Sequence, residues 1–351
     1  MKKILLVLCI LGCIGLAPAF SQTTADLTPL SNDLSALLEG IGNETIPYLQ
    51  QSAMLGEGIG RAHMGDGSPF FFAFSLGATF SPGILTFIDE ENTNFELLNV
   101  NGLLTELGSG LASTLNTFKT FMFYPQTRFA IGVQLPLRFE IIGMFSILPQ
   151  FLTTAVTGLV NEPVLSGLQL NRMNAGLRVR KVLLADQGGF PAISLGVGYT
   201  YSNFNLSLLL PFPAQNFSGY NLNIAGSLAL TTSLHSLGFD VGISKKLAIF
   251  YPYLRIGGWY QWAAYEGSVA DFSASLTDQT TNTVLASVDS TTAPIISTLA
   301  IRDMTLLVEG GIEIALGGFI ITPSGSYNLG SNSFDASLAF RLQLGTKSKD
   351  K

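Results

Sequence analysis

The chain has 351 residues, 47% of them hydrophobic and only 12% charged, with a formal net charge of −6. A soluble domain carries about 25% charged residues, and the acidic balance, with no Lys/Arg cluster interleaved with aromatics, excludes nucleic acid as a partner. Mean hydropathy is +0.40, yet no run of about 18 apolar residues follows the N-terminus, which excludes helical membrane spans there. Two classes survive: an unusually apolar soluble protein, and a membrane β-barrel that hides its hydrophobicity in alternation. The second accounts better for the 37 glycines.

Residues 1–21 read as a secretory signal peptide. Lys2 and Lys3 form the basic region, Ile4 to Leu16 the apolar region, and Ala17-Pro18-Ala19 a small-residue cleavage site. Cleavage after Ala19 or after Ser21 fits equally, and lipidation at Cys13 is the competing possibility. Loss of the two lysines takes the net charge from −6 to −8. Cys9 and Cys13 both lie in this segment, so the mature chain has no thiol and no disulfide. Residues 22–66 are expected to form an N-terminal helical plug or rim segment. Leu34, Leu37, Leu38 and Ile41 share one helical face, with Ser31 as an N-cap. Gly40, Gly42 and Pro47 are expected to keep the helix short, with a second helical piece from Tyr48 to Met54.

The barrel is expected over 67–345, with 346–351 a polar tail. Phe70, Phe72, Phe74, Leu76 and Phe80 alternate with small and polar residues, and Pro82-Gly83 ends that strand. A helical spacing at Leu104, Leu107, Leu111 and Leu115 suggests a large helical loop over 82–116. The stretch 129–145 is read as one strand: its odd positions are apolar or glycine, and Arg138 and Glu140 fall between them. A weaker strand at 117–124 precedes it. A second apolar loop, 146–170, holds Phe151, Leu152 and Val156. Further strands follow at 172–180, 193–202, 222–230, 237–243 and 254–262, with a weaker one at about 265–275. After a Ser/Thr/Asp-rich loop at 277–300, three more are centred on 306–314, 319–327 and 334–344. Short connections on one side and long ones on the other require an even count. The fold class is therefore all-β, a transmembrane antiparallel up-and-down barrel of about 12 strands (10–14), with a short N-terminal helical segment and helical outer loops.

The sequence offers little by way of catalytic constellations: residue counts allow a Ser-His-Asp set, but no nucleophile motif lies near His235. His63 and His235 are far apart and belong to no ligand-spaced cluster, and His235 falls in an expected turn. No enzyme activity, metal or cofactor is expected. The functional candidates are charges that alternate with lipid-type positions. Arg128, Arg138, Glu140, Arg172, Arg178, Arg180, Asp240, Arg255, Glu309, Glu313, Asp335 and Arg341 should face the lumen, because each costs up to a few kcal/mol in lipid. They either fill and stiffen a narrow barrel or form a selectivity surface. Leu104, Leu107, Leu111, Phe151, Leu152 and Val156, apolar residues in outer loops, either cap the barrel or capture a lipid-like ligand.

The signal peptide, the segment ahead of the first strand, the dozen alternating strands and the apolar loops together resemble the FadL-like outer-membrane proteins, over most of 24–344. That resemblance implies passive, porin-like uptake of hydrophobic compounds through a plugged barrel. The expected partners are outer-membrane lipid, a small hydrophobic solute and the barrel-assembly machinery, and the expected location is the bacterial outer membrane. Two alternatives stand beside uptake: a structural or adhesive surface barrel acting through its loops, and a secreted lipid-binding β protein.

Overall fold

The computed structural model describes residues 28–54, 59–64, 69–81, 122–148, 168–211, 215–217, 220–278, 280–281, 283–289 and 295–345. The expected signal peptide, the six apolar loop candidates (Leu104, Leu107, Leu111, Phe151, Leu152, Val156) and the polar tail lie outside these residues. One helix, α1 (Thr28–Met54), precedes β1 (Phe70–Ser81), β2 (Met122–Leu135), β3 (Phe139–Ile147), β4 (Leu168–Leu184), β5 (Ala192–Pro211) and β6 (Gln215–Phe217). Then come β7 (Tyr220–Ser244), β8 (Phe250–Asp278), β9 (Val284–Asp289), β10 (Ile295–Leu316), β11 (Phe319–Asn328) and β12 (Ser333–Leu344).

Every pairing is antiparallel, and β1 bonds to both β2 and β12, so the sheet closes. Ten strands form the ring. β6 and β9 lie outside it, joined to the far ends of β7 and β8. The ring strands meet in short turns at one end (136–138, 185–191, 245–249 and 317–318), and the chain enters β1 and leaves β12 there.

Burial follows the period of two. Outward residues such as Ile131, Val197, Phe239 and Ile256 are exposed, whereas Arg178, Arg180, Glu140 and Asp240 are buried inside. An apolar face this continuous is costly in water and is what a bilayer covers.

The expected 12 strands are corrected to ten in the ring. A tilted strand crosses a bilayer with about 9–11 residues, but β5, β7, β8 and β10 have 20, 25, 29 and 22 residues. Above the apolar belt the outer face becomes polar and the inner face apolar, so the sequence phase switches within one strand. Leu222, Ile224, Leu228 and Leu230 sit on even positions, and Leu237, Phe239, Val241 and Ile243 on odd ones. The two runs read as separate strands but are both β7, with Leu230 and Leu234 buried inward and a register shift between Ala225 and Ser227. The runs at 254–262 and 265–275 are likewise one strand, β8. The 277–300 segment contains β9 and the start of β10 rather than loop alone.

The 129–145 run is corrected in the opposite sense: it is a hairpin. β2 turns through Pro136–Arg138 into β3. Leu135 faces Phe139 and Val133 faces Ile141. Directly opposed residues share a face, so odd positions stay outward on both strands and the alternation passes through the turn unbroken. Pro136 was the available signal, since proline rarely occupies a strand interior.

α1 is also longer than expected. It runs 27 residues through Gly40, Gly42 and Pro47, roughly 40 Å at 1.5 Å per residue. The barrel wall encloses it, which overrides weak local propensity. At Gly42 a Cβ would lie 2.6 Å from a Tyr265 ring carbon, so glycine there brings helix and wall together. Inside the wall, buried Phe71 lies opposite Gly132 and Trp259 opposite Gly238, each ring filling the space its glycine leaves.

Candidate functional site: a plugged lumen

The inward positions of β2, β3, β4, β8, β10 and β12 carry Arg128, Glu140, Arg172, Arg178, Arg180, Arg255, Glu309, Glu313, Asp335 and Arg341, all buried. Arg138 is corrected. It sits exposed in the β2–β3 turn, with φ of 61°, because the turn interrupts the strand that was expected to carry it inward. Asp240, expected inward as well, is buried and pairs with Arg178.

At the short-turn end the charges surround residues 59–64, a segment with no regular structure. Glu313 accepts the N–H groups of Gly60 (2.7 Å) and Arg61 (3.1 Å). It also pairs with the Arg61 guanidinium and takes two hydrogen bonds from Arg341, at 2.8 and 2.7 Å. Glu140 accepts the Met64 N–H at 2.8 Å and Arg180 Nε at 2.6 Å, with His63 Nδ1 at 3.3 Å. Arg180 Nη1 donates to the Arg61 carbonyl and Arg255 Nη2 to that of Ile59, each at 2.8 Å. Ser244 Oγ accepts from Ala62 N–H at 2.9 Å, and Gln343 Nε2 donates to the Met64 carbonyl at 2.5 Å. Irregular backbone buried away from water must find partners. Here wall side chains supply them, and the same contacts spread the charge of each carboxylate over several donors.

Higher in the lumen the wall holds the end of α1. Arg128 Nη2 donates to the Ser52 carbonyl at 3.0 Å, and Arg172 donates to the Leu49 carbonyl at 3.5 Å and to Ser52 Oγ. The last carbonyls of a helix have no intrahelical partner and lie at the negative end of its dipole. Arg128 meets the unpartnered Ser52 carbonyl, and Arg172 adds a second positive charge at that end. Gln51 and Ser333 hydrogen bond to each other across the same gap. Tyr48 and Leu49 pack with Tyr124 and Phe204, flanked by Leu170 and Leu206. Further up, Tyr265 OH donates to the Leu38 carbonyl at 2.8 Å. The interior therefore has two tiers, an ionic one around 59–64 and an apolar one around α1. Below the ionic tier a cavity of about 370 Å³ opens at the short-turn mouth, lined by Arg61, His63, Ser244, Lys246, Tyr251 and Gln343 among others.

Sequence reasoning missed Gln51, Ser52 and Arg61, and passed over His63 as isolated. Their signal was weak: polar residues flanking a helix, with nothing to show which wall residues they meet. His235 was misplaced in a turn. It lies mid-strand in β7, facing outward, stacked on Trp262 with ring centroids 5.3 Å apart and bonded to Tyr199 OH at 2.7 Å. With Tyr201 and Tyr260 nearby, these rings resemble the aromatic girdle of a membrane barrel. Among the described residues no group of three His, Cys, Asp or Glu side chains is placed to hold a metal ion.

No protein-family model matches the chain, and no curated protein matches it. Solved structures do. The outer membrane protease OmpT from Escherichia coli has 9% identity and a TM-score of 0.36, covering 80% of this chain and 98% of its own. The translocator domain of the autotransporter NalP from Neisseria meningitidis has 8% identity and a TM-score of 0.35, covering 91% and 100%. The monoaromatic hydrocarbon channel CymD has 6% identity and a TM-score of 0.25, covering 96% and 97%. Overlaps this low carry no weight for function.

Proposed function

We propose that this chain is a bacterial outer-membrane barrel that takes up or binds small hydrophobic solutes by diffusion, in a FadL-like manner, with α1 and residues 59–64 as its gate. One observation carries the proposal. The lumen is filled by a segment of the chain held through hydrogen bonds, ion pairs and apolar packing, and withdrawing that segment uncovers Phe204, Leu206 and Leu170 on the wall. An apolar upper passage suits an apolar solute, and concave apolar sites with a few polar groups are ordinary small-molecule sites. The ionic tier below serves as latch rather than as selectivity filter. Exported as a barrel, the chain would depend on outer-membrane lipid and on the assembly machinery.

A liposome flux assay tests this. Wild-type protein should pass small aromatic hydrocarbons while conducting few ions, and deletion of residues 28–64 should open an ion-conducting pore. No solute flux in the wild type, together with no conductance after deletion, would remove the transport function.

The adhesive alternative has its own observation. β10 pairs with β11 only over Leu307–Leu316. Among the described residues Ile295–Thr305 therefore present a strand edge on that side, a surface onto which another strand can add.

A further inference from the structure

Three consecutive connections at the short-turn end share a composition that the contacts to α1 and residues 59–64 do not use. Each places a large apolar side chain in solvent: Leu137 (79% exposed), Phe190 (76%) and Leu247 (55%). The same connections and the adjoining strand ends carry Arg138, Lys181, Lys245 and Lys246, against one carboxylate outside the lumen, Asp186, since Glu140 is buried within it. Lys245 neutralises that carboxylate. Its ammonium donates to Asp186 (2.9 Å) and to the carbonyls of Gly188 (2.7 Å) and Phe190 (3.1 Å), tying the second connection to the third. Arg138, Lys181 and Lys246 remain as a net positive arc. Lys181 lies over the Phe139 ring at 4.2 Å and donates to the Leu137 carbonyl, so its charge is directed toward the turn.

The apolar exterior runs straight into these tips through exposed Leu135, Phe139, Leu183, Leu184, Ile249 and Phe250. The bilayer boundary therefore falls at the turns themselves. Apolar tips beside cations are what a headgroup layer selects: carbon in the acyl boundary, positive charge at the phosphates. We propose that this arc of the rim binds the headgroup phosphates of anionic glycerophospholipids in the leaflet facing the short turns. The inference rests on the barrel spanning a bilayer, as proposed above.

Two measurements separate the claims. Flotation with phosphatidylcholine liposomes tests membrane insertion: protein left behind in the soluble fraction overturns the membrane barrel and the rim site together. Native mass spectrometry from detergent with equimolar phosphatidylglycerol and phosphatidylcholine tests the rim alone. Wild-type protein should retain phosphatidylglycerol by about fivefold or more over phosphatidylcholine, since each Lys or Arg at an anionic surface contributes on that order. Replacing Arg138, Lys181 and Lys246 together with Gln should bring the ratio near one. Arg138→Gln alone, in an exposed turn, should lower it in part, and Arg302→Gln, on the upper half of β10, should leave it unchanged. A wild-type ratio near one, as expected of a rim that docks a soluble protein, overturns the proposal whether or not the triple variant folds. A high ratio that the Arg138 and triple variants leave intact overturns it too.

Discussion

Glu313 gathers many contacts, holding two arginines and two backbone N–H groups at once. Removing one partner of a buried ion pair costs about 3–5 kcal/mol, because the other charge is left without compensation. Glu313→Ala should therefore lower barrel stability by about that amount in urea titrations, and should raise ion leak by loosening residues 59–64. The pair Phe71 and Gly132 gives a test of packing without charge. A Cβ on Gly132 would fall 1.7 Å from a Phe71 ring carbon. Gly132→Ala should destabilise by about 1–3 kcal/mol, as overpacking does, and Phe71→Leu should recover part of the loss in a double-mutant cycle. At the rim, burial opposes ionisation of Asp186, but the Lys246 N–H and the Lys245 ammonium outweigh it and hold the carboxyl below its ordinary value of 3.8. A lowered folded value means that the contact contributes stability above pH 3.8 and loses it as the pH falls through the folded value. Amide exchange at Lys246 should accelerate only in that acidic window, and Asp186→Asn should abolish the dependence.

At the scale of elements, α1 shows how a wall rescues a weak helix. Two glycines and a proline argue for a break, yet the helix continues because the barrel surrounds it and Gly42 admits Tyr265 and Leu299. Gly42→Val should push α1 off the wall. The expected outcome is a higher open probability in single-channel recordings, with strand content by circular dichroism unchanged. The β2–β3 hairpin shows the converse limit. The alternation of 129–145 was legible and assigned every face correctly except at the turn, where Arg138 escaped inward placement. Periodicity alone cannot report a turn whose flanking residues keep the same parity. Of the candidate site, the wall charges were readable because a charge beside a lipid-type position has one affordable direction. The plug contacts were not, since nothing local links Gly60 or Ser52 to wall residues 76 to 253 positions away.

For the whole molecule, the faces can be tested directly. Val133 faces outward and Ser194 inward. Val133→Asp should impair insertion into liposomes, read as the folded fraction after refolding, since a charge on the lipid face costs up to a few kcal/mol. Ser194→Ala should be mild. Equal effects would contradict the sidedness of the wall. The barrel is also uneven in height. β11, β12 and β1 have 10, 12 and 12 residues, whereas the neighbouring arc through β7 and β8 rises to 25 and 29. The excess length stands beyond what a bilayer crossing uses.

The sequence by itself determined an all-β membrane barrel, its lipid-facing residues and nearly all of its buried charges, because alternation in a bilayer leaves each residue only two environments. Tertiary structure alone decided the number of strands in the ring and which wall residues hold the segment in the lumen. Those depend on where the wall outgrows the membrane and on which distant side chains meet the threaded segment. Such pairings arise only when the sheet closes.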